Sequence, residues 1–370
     1  MSPDARPSGA DVLAVRLDSD GDVLLTGPAV RALAHGAAAR GGSVDVLASP
    51  AGTAAARLLP GVRDVLTFDA PWSGYRPPSV DEAGVLDLVG TIAAHRYAAA
   101  VVFTSFHQSP LPAAMLAKIA GVGHVAGTSE DYPGSLLDVR HLRPEGLHEV
   151  EAALDLARAA GFPDPPDGDR LRVREPLPDV THLVPAVPYV VVHPGASVPA
   201  RAPSPDHARA VVGALAAQGW RVVVTGGPTE TALAAHVAGG RATDLSGATD
   251  LAGLAGVLAG ARCVVVGNTG PAHLAAAVGT PVVSLFAPVV PAGRWAPWRV
   301  RSVVLGDQAA ACAGTRAREC PVPGHPCLTG VAPADVADAV TRLTTTAACE
   351  EWHSAAAPGR AVPDAAGVVA

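Results

Sequence analysis

Nearly continuous apolar runs alternate with amphipathic stretches along most of this chain. The runs at 11–17 and 98–104 are typical of parallel strands covered on both faces. Apolar residues at three- and four-residue spacing, as in 85–96 and 148–162, indicate helices between the strands. Repeated strand-helix-strand units predict an α/β protein with two doubly wound, Rossmann-like parallel sheets facing each other across a cleft.

A change of composition separates the two arrays. Residues 163–188 are rich in proline, which disrupts helices and central strands, and so predict an extended connecting segment. We therefore expect an N-terminal domain over 1–178 and a C-terminal domain over 186–347. The Ala/Pro/Gly-rich end, 348–370, is expected to be disordered.

Composition narrows the classes of function. The 370 residues are 49% hydrophobic and 16% charged, with a formal net charge of −7 and no basic stripe. This argues against nucleic acid and against an anionic membrane surface as main partner. No apolar run is long enough to span a bilayer, and the polar, acidic start has no signal-peptide core. A soluble, cytoplasmic, monomeric protein is expected, with peripheral membrane contact left open.

The cysteines predict neither a disulfide framework nor a metal site. Their number is five, which is odd, and no secretory signal accompanies them. Cys312, Cys320 and Cys327, with His325 nearby, are spaced by eight and seven residues, whereas structural zinc sites use tight pairs. Packing or an acceptor-side loop is the expected role, and no metal or cofactor is predicted.

Small and polar residues follow each C-terminal strand. The four segments read HPGAS, VTGGPTE, GNTGPAH and FAPVVPAG. Glycine lets backbone approach a ligand closely, and the helix that begins near Thr269 could hold a diphosphate at its N-terminus. His273 is expected in the first turn of that helix. The plain alternative is that Asn268 or Thr269 only caps the helix, but four such loops in one domain favour a ligand site.

These segments together resemble the glycosyltransferase family 9 heptosyltransferases. HPGAS, TGGPTE, DLSGATDLAGLAGVL and GNTGPAHLAAAVGTPVVSLFAP occur in the family's order, and VRLDSDGDVLLTGPAVRAL and CPVPGHPCL also look like family segments. The similarity covers roughly 11–345. It implies a GT-B fold and an inverting, metal-independent transferase that uses a nucleotide-diphosphate heptose.

The resemblance implies that Asp22 is the catalytic general base. An inverting transferase needs a carboxylate to accept the proton of the attacking hydroxyl. We expect Asp22 in the loop after the first strand, just before a helix, where a plain helix N-terminal charge is the alternative. Asp18 and Asp20 are neighbours that the sequence does not exclude. Gly21 and His107 are expected on the acceptor side.

The resemblance also implies a set of donor-binding residues. Arg201 would meet phosphate, although RAPSP lacks the tryptophan of the family pattern, and a solvated loop cation is the alternative. Glu230 would bind ribose hydroxyls, or else be only a helix-start charge, and Asn268 replaces an expected aspartate near the sugar. The expected donor-binding residues are Ser197, Arg201, Thr225, Gly226, Gly227, Glu230, Thr249, Leu251, Asn268, Thr269, Gly270, Pro271 and His273.

The function predicted from the sequence is transfer of a heptose or similar sugar from a nucleotide-diphosphate donor, ADP-heptose by resemblance, to a hydroxyl of a glycan or small-molecule acceptor. The C-terminal domain would bind the donor, and the N-terminal domain would bind the acceptor and supply Asp22. Two alternatives remain: an enzyme like the nucleotide-sugar epimerases, and a non-catalytic sugar-nucleotide-binding protein.

Overall fold

A computed structural model describes residues 10–74, 76–105 and 108–345. The chain divides into two compact units, Met1–Arg174 and Glu175–Ala370. The division falls inside the proline-rich segment 163–188, where the structure has neither helix nor strand. The predicted tail, 348–370, lies outside the described residues.

The N-terminal unit alternates strands and helices as the apolar pattern predicts. Its strands are β1 (Val12–Arg16), β2 (Val44–Ala48), β3 (Val62–Thr67), β4 (Ala99–Val102), β5 (His124–Thr128) and β6 (Val139–His141). Its helices are α1 (Asp20–Ala38), α2 (Thr53–Leu58), α3 (Glu82–His95), α4 (Leu111–Ile119) and α5 (Glu149–Ala159).

These strands form one parallel sheet in the order β3-β2-β1-β4-β5-β6. From β1 the chain adds β2 and β3 toward one edge of the sheet, and it then returns to add β4, β5 and β6 on the other side of β1. In doubly wound sheets the loops that leave such a pair part to opposite faces and open a crevice, where ligands bind. Here the crevice is bounded by the residues that follow Arg16 and Val102.

The C-terminal unit repeats the plan. Its strands are β7 (Tyr189–His193), β8 (Arg221–Val224), β9 (Thr243–Asp244), β10 (Cys263–Gly267), β11 (Val282–Leu285) and β12 (Ser302–Leu305). Its α-helices are α6 (Pro205–Ala217), α7 (Thr231–Ala238), α8 (Leu251–Ala259), α9 (Gly270–Ala277), α10 (Ala292–Trp295), α11 (Pro326–Thr329) and α12 (Pro333–Thr344). Single 3₁₀ turns occupy Pro199–Arg201 and Pro228–Glu230.

The second sheet is also parallel, in the order β12-β11-β10-β7-β8-β9. The order in which strands are added reverses between the neighbouring strands β7 and β10. The segments HPGAS and GNTGPAH, which follow these two strands, therefore leave the sheet side by side. The predicted α/β fold with two parallel, doubly wound sheets is therefore confirmed.

Each unit has a hydrophobic core of its own. Leu13 and Val102 belong to the N-terminal core, and Val192 and Val265 belong to the C-terminal one. Among the helices of the described ranges, none is both long and apolar enough to cross a bilayer.

Candidate functional site

Arg16 is the centre of the polar group at the β1/β4 crevice. It is the last residue of β1, and only 4% of its surface is exposed. Its Nε lies 3.0 Å from Oδ2 of Asp18, and its Nη2 lies 3.3 Å from Oδ1 of Asp22. The same Nη2 donates to Oγ of Ser105, just after β4, at 3.0 Å. Arg16 therefore ties together both walls of the crevice.

Asp22 lies in the first turn of α1, not in the loop where we expected it. Ser19 has extended backbone angles and is the N-cap, so the helix already begins at Asp20. The Ser19 hydroxyl donates to Oδ2 of Asp22 at 2.9 Å, while Oδ1 faces Arg16. About a quarter of the Asp22 side chain (24%) remains exposed, so its carboxylate is held and still accessible.

The two neighbouring acids point in different directions. Asp18 has one oxygen beside Arg16, and its Oδ1 accepts from Nε2 of Gln108 at 2.6 Å. Asp20 instead accepts from the backbone N–H of Ala55 at 2.9 Å, which turns its carboxylate toward α2. Asp18 therefore shares the polar group of Asp22, and Asp20 does not. Gly21 lies between Asp20 and Asp22 and is buried in the first turn of α1.

Burial and charge oppose each other in this group. Burial raises the pKa of Asp18, and the charge of Arg16 and the Gln108 hydrogen bond only partly offset it. Burial also disfavours the charged guanidinium, but Asp18, Asp22 and Glu149 together hold the pKa of Arg16 above its ordinary value. Arg16 is thus a fixed cation between two carboxylates. His107, the other expected acceptor-side residue, lies outside the described residues.

The C-terminal unit collects several expected donor-binding residues at the ends of β7 and β8. The Nδ1 atom of His193 lies 3.0 Å from the hydroxyl of Thr225, which is itself buried. Oε2 of Glu230 accepts from the N–H of Gly227 at 2.7 Å. Burial lowers the pKa of His193, and the nearby Glu230 carboxylate opposes that effect.

The glycines in these loops leave room for the Glu230 side chain. A Cβ on Gly195 would lie 1.8 Å from Oε1 of Glu230, and one on Gly226 would lie 3.2 Å from its Cβ. The HPGAS and TGGPTE segments therefore converge on one carboxylate. Ser197 is exposed in the first of these segments.

The turn that contains Arg201 packs on the end of β10. A Cβ on Gly267 would lie 2.7 Å from the carbonyl oxygen of Arg201, so only glycine fits there without a shift. The N–H of Ala200 donates to the carbonyl of Arg318 at 2.9 Å and anchors the same turn to the cysteine-containing loop. Arg201 itself is half-buried.

The GNTGPAH segment begins α9 as expected, with Thr269 as the extended N-cap and Pro271 in the first turn. His273 lies in that turn and is buried. Two details differ from the diphosphate site that the sequence predicts at the start of this helix. The N–H of Thr269 donates to the Gly267 carbonyl at 2.9 Å, and Asn268 is buried (4% exposed) with Oδ1 accepting from the N–H of Ala287 at 3.4 Å. Gly270 is then the half-buried first residue of the helix.

Thr249 and Leu251 lie on either side of the cap of α8. The Asp250 carboxylate between them accepts from the N–H of Gly253 at 2.7 Å. Both neighbours are half-buried. The resemblance implied that Thr249 and Leu251 bind the donor, whereas the contact that the structure describes in this segment is a helix cap.

The three cysteines lie closer together than their spacing indicated. Burial is the main cause that raises the pKa of Cys327 to about 11, and Cys312 and Cys320 add to it. Cys312 and Cys327 are buried in the C-terminal core, and Cys320 donates to the carbonyl of Val322. Within the described residues, no group of three or more His, Cys, Asp or Glu side chains is arranged to hold a metal ion.

Sequence reasoning missed Arg16, Ser105 and Gln108 as members of the N-terminal polar group. Ser105 and Gln108 are about ninety residues from Arg16 and Asp18, and only the β1/β4 pairing brings them together. A signal was present, since a charged residue inside an otherwise apolar central strand demands a buried partner.

Comparison with known proteins agrees with this architecture. The sequence model of glycosyltransferase family 9 (heptosyltransferase) matches residues 88–325. Lipopolysaccharide heptosyltransferase 1 of Pseudomonas aeruginosa is 34% identical over 196 residues, which cover 50% of this chain and 54% of that protein. The chain therefore spans about half the length of this curated relative. Lipopolysaccharide heptosyltransferase 3 of Escherichia coli is 34% identical over a shorter stretch, 30% of this chain and 34% of that protein.

The solved structure of E. coli ADP-heptose lps heptosyltransferase II superposes with a TM-score of 0.69 at 18% identity, covering 92% of this chain and 99% of that one. E. coli heptosyltransferase WaaC with ADP gives 0.64 at 21% identity, covering 90% and 97%. At these identities the likeness concerns the fold, which is that of the GT-B proteins. The family match is more specific: the chain belongs to glycosyltransferase family 9.

Proposed function

We propose that this protein is an inverting glycosyltransferase that moves a heptose or similar sugar from a nucleoside-diphosphate donor, ADP-heptose, to an acceptor hydroxyl. The observation that carries the proposal is Asp22, whose carboxylate is held by Ser19 and Arg16 yet partly exposed at the crevice of a family 9 protein. The named relatives are heptosyltransferases, which supports the donor sugar.

The proposed reaction is a single displacement at C1 of the donor sugar. The acceptor oxygen attacks C1 from the face opposite the diphosphate, and its proton passes to Asp22. The bond between C1 and the diphosphate oxygen breaks, and the nucleoside diphosphate leaves with both electrons. The anomeric configuration is inverted. The conjugate acid of Asp22 then releases the proton to solvent.

Two features of the C-terminal unit support donor binding there. The N-terminal end of α9 offers the positive end of a helix dipole for the leaving diphosphate, and Arg201 lies beside the end of β10. The Glu230 carboxylate, which accepts from the N–H of Gly227, would also accept from the ribose hydroxyls. The N-terminal unit would bind the acceptor beside Asp22.

The test compares Asp22→Asn with Asp20→Asn, using ADP-heptose as donor and a panel of hydroxyl acceptors. Loss of the base should lower kcat by about 10²- to 10⁴-fold while ADP affinity is unchanged. Asp20→Asn makes the same change two residues away, on a side chain turned toward α2, and should keep activity within about threefold. NMR of the product should show inverted configuration at C1.

Other outcomes favour the alternatives. An epimerised free donor in place of a glycosylated acceptor would identify an epimerase-like enzyme. Tight donor binding with neither transfer nor hydrolysis would identify a binding protein. Full activity in Asp22→Asn would remove Asp22 from the mechanism.

A further inference from the structure

A cavity of about 310 Å³ opens beside the N-terminal polar group. It lies between the residues that follow β1 and β4, within the N-terminal unit. Its volume is at the lower end of the range for small-molecule sites, which suits one ring better than an oligosaccharide or a lipid chain. Its polar lining residues are Asp18, Ser73, Thr104, Gln108 and Ser109. Its apolar lining residues include Leu17, Trp72, Val102, Phe103, Pro112 and Ala113.

Asp18, not Asp22, is the carboxylate that lines this cavity. Its Oδ2 faces Arg16 and its Oδ1 accepts from Gln108, and the side chain keeps 11% of its surface exposed. An ionised carboxylate has about four acceptor positions, so two remain for donors from a ligand. Ser73 donates its own proton to the carbonyl of Leu17, which leaves its oxygen as an acceptor. The polar lining residues thus offer acceptors to a hydroxylated molecule.

Trp72 gives the cavity lining a flat aromatic surface. Its indole is half-buried and packs against Phe68, with ring centroids 5.9 Å apart, which fixes its orientation. A ring that carries hydroxyls at its edge and C–H groups on its face matches both kinds of lining residue, because aromatic rings attract C–H faces and carboxylates attract hydroxyls.

Asp18 is the charged side chain in the cavity lining. Arg16 lies between Asp18 and Asp22, and one guanidinium with two ionised carboxylates leaves one net negative charge in this group. An anionic ligand would place like charge against Asp18 in a partly desolvated site, where repulsion is weakly screened.

We propose that this cavity binds an uncharged, polyhydroxylated ring of the acceptor, with hydroxyls donating to Asp18 and a ring face on Trp72, and that it selects against acceptor rings carrying carboxylate or phosphate. That the ring belongs to an acceptor rests on the proposed transferase function. The selectivity for neutral over anionic rings follows from the cavity itself and is tested by binding alone.

The experiment uses the full chain and two matched pairs of probes: methyl β-glucopyranoside with methyl β-glucuronide, and myo-inositol with an inositol monophosphate. Saturation-transfer NMR titrations give the dissociation constant of each. The neutral member of at least one pair should bind at least about tenfold more tightly than its anionic partner. Trp72→Ala should abolish binding of both members.

Three variants test the cause of the selectivity. Asp18→Asn should bring the two members of a pair within about threefold, because it removes the repelling charge. Gln108→Lys places a cation beside the same carboxylate and should also narrow the ratio, which provides a second measurement if Asp18→Asn fails to fold. Asp20→Asn, whose side chain faces Ala55 and does not line the cavity, should leave the ratio as in the native chain.

The inference is overturned if the anionic partners bind as tightly as the neutral rings, if neither charge variant changes the ratio, or if no probe binds. A titration with ADP in the same samples reports on the proposed function separately. Failure of ADP to bind, with neutral rings still preferred, would count against the transferase and leave the selectivity of the cavity intact.

Discussion

At the scale of single residues, the C-terminal unit depends on a glycine that makes room for a carboxylate. Gly195 follows β7 and lies against Glu230, whose other oxygen is held by the N–H of Gly227. The proposed ribose contact therefore requires the absence of a side chain at position 195. Because the colliding atom belongs to a flexible side chain, a substitution there should displace Glu230 without unfolding the sheet.

Gly195→Ala should weaken ADP binding about tenfold, which corresponds to about 1.4 kcal/mol. The new methyl group would lie 1.8 Å from Oε1 of Glu230 and force the carboxylate away from Gly227. Isothermal titration calorimetry measures the affinity. Gly90→Ala is the control, since it lies in α3 of the N-terminal unit and a Cβ there meets nothing within 4 Å. Equal affinities for ADP in both variants would show that Glu230 does not contact the nucleotide.

His193 should make the folded protein less stable as the pH falls. Burial lowers its pKa in the folded state, whereas the unfolded chain takes up a proton near pH 6.5. Below that pH the unfolded state binds more protons, so the free energy of unfolding decreases as the pH falls toward the folded pKa. For one proton the slope is at most about 1.4 kcal/mol per pH unit.

His193→Gln removes this titration. The decrease in the free energy of unfolding between pH 8 and pH 5.5, measured by urea denaturation, should be smaller in the variant than in the native chain. Comparing each chain with itself at the two pH values cancels the cost of losing the Thr225 contact. His207 and His325, whose pKa values burial also lowers, remain in the variant, so its profile should still slope. An unchanged slope would contradict the prediction.

Some of the candidate site residues can be recognised from the sequence and others cannot, for a physical reason. Asp22 and Glu230 stand out because the short segments that contain them, VRLDSDGDVLLTGPAVRAL and TGGPTE, resemble family segments, which is a local signal. The bond between Gln108 and Asp18 joins residues 90 positions apart, so it depends on strand order. The start of α1 was misplaced by three residues, Val23 instead of Asp20, because its cap, Ser19, lies inside an acidic stretch that is typical of a loop.

At the scale of elements, central strands were more predictable than edge strands. β1, β4 and β10 are buried at every position and therefore appear as apolar runs. The pattern did not predict β6 or β12. Both are the last strands of their sheets, β6 is three residues long, and β12 is only half-buried. An edge strand is covered less, so it carries a weaker apolar pattern.

Helix α8 gives a test of capping at this scale. The Asp250 side chain accepts from the N–H of Gly253 and satisfies a donor that the helix leaves without an intrahelical partner. Asp250→Ala should lower the free energy of unfolding by about 1 kcal/mol, whereas Asp250→Ser, which keeps a capping oxygen, should cost less than half of that. Urea denaturation measures both, and equal losses would contradict a capping role.

At the scale of the whole molecule, the described residues form a parallel sheet and a hydrophobic core within each of the two units. The proposed donor residues all belong to the C-terminal unit, and the acidic group around Arg16 belongs to the N-terminal one. A nucleotide that binds only one unit stabilises that unit by mass action. Its effect on the other unit measures how far the two unfold together.

ADP at a hundred times its dissociation constant should therefore protect the two units unequally. Hydrogen exchange of β7 and β10 should slow by about a hundredfold, equivalent to about 2.7 kcal/mol, while β1 and β4 should change by less than about threefold. Peptide-resolved mass spectrometry reads both sheets in one sample. Gly195→Ala at the same ADP concentration should reduce the protection of β7 and β10, because fewer molecules carry the nucleotide. Equal protection of all four strands in the native chain would instead mean that the two cores unfold as one cooperative unit.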